Sequence, residues 1–211
     1  IKYLAVAAMV LNHFAYIFLI QGSFLYEVFT DIGYFTAITM CFFLVEGYGY
    51  TSSKRKYGVR LGVFALVSQM PYMMAFSGEG LMEFHSLNMI FSLFICYLIL
   101  VAFDRIYDVN LRFFVVSALA LVSLICDWSL FAPAFVLLFI WAGESKERRG
   151  MVFQVSAAAF CVFNFVSRLG QCPVLDNILY SLGNSAGIIL AGVVIAVSYT
   201  HLRAHETRRH L

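Results

Sequence analysis

The sequence predicts an all-α protein, a polytopic transmembrane helical bundle of about eight spans. Three observations support this prediction: an apolar composition, a series of long hydrophobic runs, and basic residues confined to alternate loops. Of the 211 residues, 62% are hydrophobic and 12% are charged, whereas soluble proteins have about 25% charged residues. A soluble domain with this composition would lack the polar side chains to cover its surface, so lipid is the expected solvent.

Eight apolar runs give the expected helices. The runs extend over residues 3–20, 32–50, 61–76, 87–103, 111–126, 130–142, 151–167 and 178–197. A spanning helix needs about 20 apolar residues, so aromatic and snorkelling residues must complete the ends of the shorter runs. Between the fifth and sixth runs, Asp127-Trp128-Ser129 forms either a tight turn between two spans or a break inside a re-entrant element.

Loop charges predict the orientation. With a cytoplasmic N-terminus, the cytoplasmic segments contain Lys2, Lys54, Arg55, Lys56, Arg60, Arg105, Arg112, Lys146, Arg148 and Arg149. The opposite loops contain Glu27, Asp31, Glu79, Glu83, Asp127 and Asp176, with Arg168 at a helix edge. The positive-inside rule therefore favours both ends in the cytoplasm. The net charge of +2 is too small to indicate a nucleic-acid partner.

The two ends of the chain predict an incomplete natural sequence. The first residue is Ile1 and apolar sequence begins at Tyr3, so we expect the natural N-terminus to be missing. Residues 197–211 contain three of the five histidines and resemble translated sequencing-adapter sequence. We therefore expect a single transmembrane domain over residues 1–197 and a non-native tail over 198–211. A functional cytoplasmic tail is the alternative.

Several classes of site are not indicated by the sequence. Four of the five cysteines lie in apolar runs, where a free thiol behaves as a small hydrophobe, and no C-x-x-C spacing predicts a metal site. There is no Gly-rich phosphate loop and no G-x-S-x-G elbow. Paired broken helices in two matching halves, which are typical of secondary transporters, are also missing.

Polar residues inside the first run are the first functional candidates. Asn12 and His13 lie at its middle. A charged residue at a helix centre costs about 2.5–3.5 kcal/mol on insertion scales, so an intramembrane ionisable residue is a functional hypothesis. His13 is either a general base near neutral pH or a packing histidine bonded across helices.

The second and third runs contain two further candidates. Glu46 can stay protonated, position a substrate, or pair with the basic loop that follows it, and its position slightly favours pairing. Pro71 removes a backbone hydrogen bond and kinks the third helix. The freed carbonyls and Gln69 then offer polar groups to a cavity, or the kink serves packing alone.

A fourth group lies at the opposite membrane face. His85, Asn88 and Asp127 occupy the non-cytoplasmic ends of helices, where they can converge with Asp31. A His and Asp pair there would suit proton transfer. Ordinary interfacial polarity is the alternative for each residue taken singly.

Five stretches, in order and spacing, resemble the TraX family. They are Leu11-Asn12-His13-Phe14, Phe43-Leu44-Val45-Glu46-Gly47-Tyr48, and residues 51–57, 60–71 and 88–93. The resemblance extends over residues 2–196. The family's founding member N-acetylates the pilin of conjugative plasmids, and the family is similar to larger polytopic acyltransferases that use cytoplasmic acetyl-CoA. In this chain, Asn12 and Gln69 stand where the family often has Asp and Glu.

The resemblance implies a membrane-bound acetyltransferase of the bacterial inner (cytoplasmic) membrane. Its acyl donor would be acetyl-CoA, with no metal, and its acceptor a pilin N-terminus or another envelope molecule. The predicted catalytic residues are His13, Glu46 and Asp127. The predicted substrate-binding and cofactor-binding residues are Asn12, Lys54, Arg55, Arg60, Gln69, His85 and Asn88. For the basic residues, plain topogenic charge is the favoured alternative.

Two other functions remain open from the sequence. One is a proton-coupled transporter or flippase, in which His13 and Glu46 would relay protons. The other is a non-catalytic membrane scaffold, in which the same residues would serve folding and assembly only.

Overall fold

The computed structural model describes residues 1–76 and 86–209, with side chains up to residue 198. It confirms the all-α prediction, because the described residues form eight α-helices and no β-strand. The helices are α1 (Lys2–Phe18), α2 (Phe24–Tyr50), α3 (Lys54–Phe76), α4 (Met89–Arg105), α5 (Val109–Val122), α6 (Phe131–Ala142), α7 (Lys146–Ser167) and α8 (Val174–Arg209). Each predicted apolar run therefore corresponds to one helix.

Several helices begin before their apolar runs. The basic stretch after residue 53 forms the first two turns of α3, and α7 begins at Lys146 rather than at residue 151. The Ser145 side chain caps α7 by accepting a hydrogen bond from the Arg148 backbone N–H at 3.4 Å. Helix ends are set by caps and by local propensity, whereas an apolar run marks the part of a helix that lipid or protein surrounds.

Four described helices are long and apolar enough to cross a membrane: α2, α3, α7 and residues 174–198 of α8. Other apolar helices, α1 and α6 among them, are shorter. At 1.5 Å per residue, the 17 residues of α1 extend over about 26 Å, slightly less than a typical hydrocarbon core of about 30 Å. The protein is a multi-pass membrane protein.

Large apolar side chains cover the outer faces of α3 and α5. No residue of α5 is buried, and its Phe113 and Phe114 are 74% and 71% exposed. In α3, Phe64, Leu66 and Val67 are exposed as well. Continuous apolar faces of this kind would drive aggregation in water, and lipid tails are the solvent that suits them.

The chain divides into two compact units. The first contains residues 1–39 and 142–211, and the second contains residues 40–141, so that α2 begins in one unit and ends in the other. In the first unit, α1 runs antiparallel to the start of α2, and the Thr36 hydroxyl donates to the Ala5 carbonyl at 3.0 Å. Helices α7 and α8 form an antiparallel hairpin, in which the Asn177 amide donates to the Phe165 carbonyl at 2.9 Å.

The second unit is organised around α4. Nine of the 17 residues of α4 are buried, and its Tyr97 ring packs directly on Gly58 of α3, where a Cβ would overlap the ring. Phe42 and Phe139 also meet in this unit, edge to face at 5.4 Å between ring centroids. Aromatic pairs of this geometry contribute beyond their buried area.

The Asp127-Trp128-Ser129 connection is a compact turn between α5 and α6. Helix α5 is extended by a 3₁₀ turn, Ser123–Ile125, and α6 begins at Phe131. The Ser123 hydroxyl lies 2.6 Å from the Ala120 carbonyl and 2.9 Å from the Ser129 carbonyl. The connection is therefore a compact turn, and whether α5 and α6 are two spans or the arms of one re-entrant element stays a prediction, because both helices are shorter than the four spanning ones.

Candidate functional site

The structure places the predicted site residues in three regions. Asn12 and His13 lie on α1 in the first unit. In the second unit, one region lies around the start of α4 and contains Gln69 of α3, Asn88 and Asp127. The other lies around the start of α3 and contains Glu46, Lys54, Arg55 and Arg60. His85 lies outside the described residues.

Asn12 fastens α1 to α2. Its amide nitrogen lies 3.5 Å from the Thr30 carbonyl, and its side chain packs on Gly33, where an added Cβ would overlap it. Close approach at a glycine is the usual way for membrane helices to pack. His13 follows directly on the same helix and is half-buried. Asn12 therefore fixes the part of α1 that holds His13.

Gln69 and Asn88 join α3 to the start of α4. The Gln69 amide accepts from the Asn88 backbone N–H at 2.9 Å and donates to the Ser86 carbonyl at 3.0 Å. The Asn88 amide donates to the Ser68 hydroxyl at 3.1 Å and to the Ala65 carbonyl at 3.2 Å. Helix α3 continues through Pro71 to Phe76, so Ala65, Ser68 and Gln69 contribute to this network from one continuous helix.

Asn88 also caps α4. Its side-chain oxygen accepts from the backbone N–H groups of Ile90 at 2.9 Å and Phe91 at 3.3 Å, the N-cap arrangement that satisfies the free donors of a helix start. The residue is 4% exposed. In this structure, the hydrogen-bonding groups of the Asn88 side chain are used by the protein itself.

Asp127 lies beside Asn88 through a short backbone bridge. Leu87 and Cys126 form an isolated parallel β-bridge. The Leu87 backbone N–H donates to the Ile125 carbonyl at 2.9 Å, and the Asp127 backbone N–H donates to the Leu87 carbonyl at 2.8 Å. The predicted convergence of Asn88 and Asp127 is thus present in the second unit. Asp31 belongs to the first unit.

An ion pair that the sequence analysis missed occupies the basic end of the second unit. The Lys54 ammonium lies 3.0 Å from one carboxylate oxygen of Asp104, and the Tyr48 hydroxyl donates to the other at 3.3 Å. The hydrogen bond from Lys54 lowers the pKa of Asp104 below its usual range. The only signal in the sequence was an acidic residue directly before Arg105, at the end of an apolar run.

The other basic residues in this region remain open to solvent. Arg55 and Arg60 are exposed on the first turns of α3, whereas the Lys54 backbone carbonyl accepts from the Tyr97 hydroxyl at 3.0 Å. Glu46 is half-buried near the end of α2. Arg55 and Arg60 can therefore meet an anionic ligand without breaking a structural ion pair. Within the described residues, no group of three or more His, Cys, Asp or Glu side chains could hold a metal ion.

The fold and this distribution of polar groups define a class, an all-α multi-pass membrane protein with polar clusters inside its helical units. Comparison with known families gives the particular one: the chain belongs to the TraX family, whose model, described as TraX protein, matches residues 1–210. The family resemblance predicted from the sequence is therefore confirmed.

One curated relative is similar over most of its length. The "Probable fimbrial assembly protein FimC, serogroup H1" of Dichelobacter nodosus is 34% identical over 196 residues, which cover 90% of this chain and 79% of the relative. No solved structure matches the chain.

Proposed function

We propose that this protein is a membrane-bound acetyltransferase of the bacterial inner membrane, which moves an acetyl group from acetyl-CoA to a pilin N-terminus or another envelope acceptor. The observation that supports this most strongly is the match to the TraX family over residues 1–210. The name of the Dichelobacter nodosus relative, a fimbrial assembly protein, agrees with an acceptor that belongs to a fimbria or pilus.

His13 is the proposed general base. A neutral imidazole would take the proton of the acceptor amine or hydroxyl as that atom attacks the thioester carbonyl of acetyl-CoA. The new bond to the acetyl carbon forms, the carbon–sulfur bond breaks, and the coenzyme A thiolate finally receives the proton. The contact of Asn12 with Gly33 would keep α1, and with it His13, packed against α2 during the transfer.

Arg55 and Arg60 are the proposed contacts for the phosphates of acetyl-CoA. Guanidinium groups bind phosphates in bidentate fashion, and both side chains are exposed. Lys54 is less available because it pairs with Asp104 at 3.0 Å. In the proposed orientation, these residues face the cytoplasm, where acetyl-CoA is found.

Acetyl transfer in vesicles tests the proposal. Inverted membrane vesicles that contain the full chain and a pilin acceptor receive acetyl-CoA labelled in the acetyl group, and label on the acceptor is measured. We expect His13→Ala to lower the rate at least about 100-fold, the lower end of general-base effects. The matched control is Leu11→Ala, an exposed apolar residue of the same helix, which should keep the rate. Full activity of His13→Ala would exclude its role as base.

A non-catalytic part in fimbrial assembly is a second candidate, favoured by the printed name of the relative. It predicts that deletion of the gene reduces fimbriae, while His13→Ala restores them and no acceptor becomes labelled. The acetyltransferase proposal predicts that the wild-type chain labels the acceptor and restores fimbriae, whereas His13→Ala does neither, so one complementation experiment separates the two.

A further inference from the structure

An acidic side chain stands among the basic residues at the basic end of the second unit. Asp104 lies in the last turn of α4, directly before Arg105. Under the proposed function, this end of the unit receives the phosphates of acetyl-CoA, and a carboxylate beside them would weaken their binding by repulsion. Both carboxylate oxygens of Asp104 have partners within the unit, and these contacts give it a role that offsets the repulsion.

Asp104 joins the ends of three helices. Its Oδ1 atom accepts from the Lys54 ammonium group at 3.0 Å, and its Oδ2 atom accepts from the Tyr48 hydroxyl at 3.3 Å. The Lys54 ammonium also lies over the Tyr48 ring, 4.7 Å from its centroid, and the Arg105 Nε atom lies 3.8 Å from Oδ2. Tyr48 belongs to the last turn of α2, and Lys54 begins α3. An isolated pair of exposed charges contributes little, whereas a network of several contacts fixes the geometry of its members.

One face of α3 is fixed against α4 from the first residue of the helix. The Lys54 carbonyl accepts from the Tyr97 hydroxyl at 3.0 Å, and the Tyr97 ring packs directly on Gly58. One turn further, a Cβ on Gly62 would lie 3.2 Å from the Phe94 ring. Positions 54, 58 and 62 follow one another at intervals of four residues, so they lie along the same face of the helix. The ion pair with Asp104 is therefore the contact of this face nearest the start of α3.

The two proposed phosphate ligands lie off this face. Arg55 and Arg60 follow Lys54 by one and six positions, which turns them about 100° and 120° to either side of it around the helix, and both are exposed. Arg55 belongs to the first turn, where backbone N–H groups lack partners within the helix and the end can fray. The Ser53 hydroxyl accepts from the Lys56 backbone N–H only at 3.4 Å. The position of Arg55 therefore depends on the ion pair of the residue before it.

We propose that Asp104 is a positioning residue for coenzyme binding, which acts through Lys54 to fix the first turn of α3. Arg55 and Arg60 then meet the phosphates of the coenzyme from an ordered helix start, and less conformational entropy is lost on binding. The ion pair stays intact throughout, and Asp104 itself does not touch the coenzyme. This inference rests on the proposed function, because it takes coenzyme A as the ligand of the two arginines.

Coenzyme A binding to the full chain tests the role of Asp104. The purified protein is placed in nanodiscs of phosphatidylcholine, whose headgroups carry no net charge, and titrated with coenzyme A in a calorimeter at constant salt. Asp104→Asn keeps the shape of the side chain and removes its charge. Less repulsion alone would tighten the binding, whereas loss of the ordered helix start should weaken it about fivefold. An affinity that is unchanged or higher in Asp104→Asn would overturn the proposal.

Two controls separate positioning from charge and from general damage. Asp108→Asn removes the same charge nearby and keeps the cap of α5, where Asp108 accepts from the Leu111 N–H at 2.6 Å, because asparagine caps helices equally well. It should not weaken the binding, and a loss equal to that of Asp104→Asn would contradict the assigned role. In a Lys54→Gln background, Asp104→Asn should cause no further loss, since its effect passes through Lys54. If Asp104→Asn does not fold, Tyr48→Phe replaces it and should weaken the binding in the same direction.

The binding measurement also keeps this inference apart from the proposed acetyl transfer. Coenzyme A can bind whether or not an acceptor is acetylated, so the comparison of wild type with Asp104→Asn decides the positioning role even if no acceptor is ever labelled. If the wild type transfers label and the affinity for coenzyme A is the same in Asp104→Asn, only the positioning role fails. If the wild type binds no coenzyme A, both proposals fail together.

Discussion

At the scale of single residues, the polar side chains of this membrane protein divide into those used for structure and those left open. Asn88 serves structure, since its amide caps α4 and also bonds to Ser68 and Ala65. Arg55 and Arg60 are left open on the surface. All three were candidate binding residues in the sequence, and the hydrogen bonds and exposure in the structure distinguish Asn88 from the two arginines.

The cap formed by Asn88 gives a first prediction. Asn88→Ala removes the N-cap and leaves buried backbone groups unsatisfied, so it should lower the free energy of unfolding by about 2–3 kcal/mol. Asn110→Ala is the control, because Asn110 is an exposed asparagine near the start of α5. The measurement is unfolding in mixed micelles by circular dichroism, and equal stability of the two variants would contradict the assigned role of Asn88.

The Lys54–Asp104 pair gives a pH-dependent prediction. Since the pKa of Asp104 is lower in the folded protein, the pair stabilises the fold above the unfolded-state pKa of about 3.9 and loses this effect as the pH falls through the folded-state value. Unfolding midpoints of wild type and Asp104→Asn should therefore differ at neutral pH and converge in strong acid. Parallel curves over the whole range would show that the pair contributes nothing.

At the scale of helices, the close contact of α1 with α2 depends on Gly33. Gly33→Ala places a methyl group on the Asn12 side chain, and because overpacking of a well-packed contact is destabilising, it should cost about 1–3 kcal/mol. Adding Asn12→Ala should recover part of that loss, which a double-mutant cycle in thermal unfolding measures. Gly49→Ala is the matched control, since an added Cβ at this position of α2 meets nothing within 4 Å. No recovery in the double variant would mean that another contact limits α1.

The helices themselves were predictable from the sequence, and their contacts were not. Hydrophobic runs identify a membrane helix because lipid selects for them, so each run contained one helix. The start of α3 at Lys54 was missed because its first turns are basic. The partners of Asn12, Gln69 and Asp104 lie 15 or more residues away in sequence, and nothing in a single sequence specifies which helices touch.

At the scale of the whole molecule, the charge asymmetry of the loops predicts the topology. Lys54, Arg55 and Lys56 stand at the start of α3, and Arg105 at the end of α4, so within the second unit one end collects the basic residues. At the other end, Ser86 and Asn88 precede α4 and Asp127 lies in the α5–α6 turn, and the described residues 86–88 and 126–130 include no Lys or Arg. Because Lys and Arg are retained in the cytoplasm during insertion, the basic end should be cytoplasmic.

Reporter fusions test this orientation. A fluorescent protein joined after residue 53 or after residue 107 should fluoresce, and alkaline phosphatase joined at residue 128 or 171 should be active, because the enzyme folds only outside the cytoplasm. Replacing Lys54, Arg55 and Lys56 with Gln weakens the signal that retains this loop, so the fusion after residue 107 should lose fluorescence in part of the molecules. Lys146→Gln alone is the control, since Arg148 and Arg149 remain beside it. If alkaline phosphatase joined after residue 53 of the wild type is active, the orientation is the reverse of the predicted one. The proposed site for acetyl-CoA phosphates at Arg55 and Arg60 would then face away from the coenzyme.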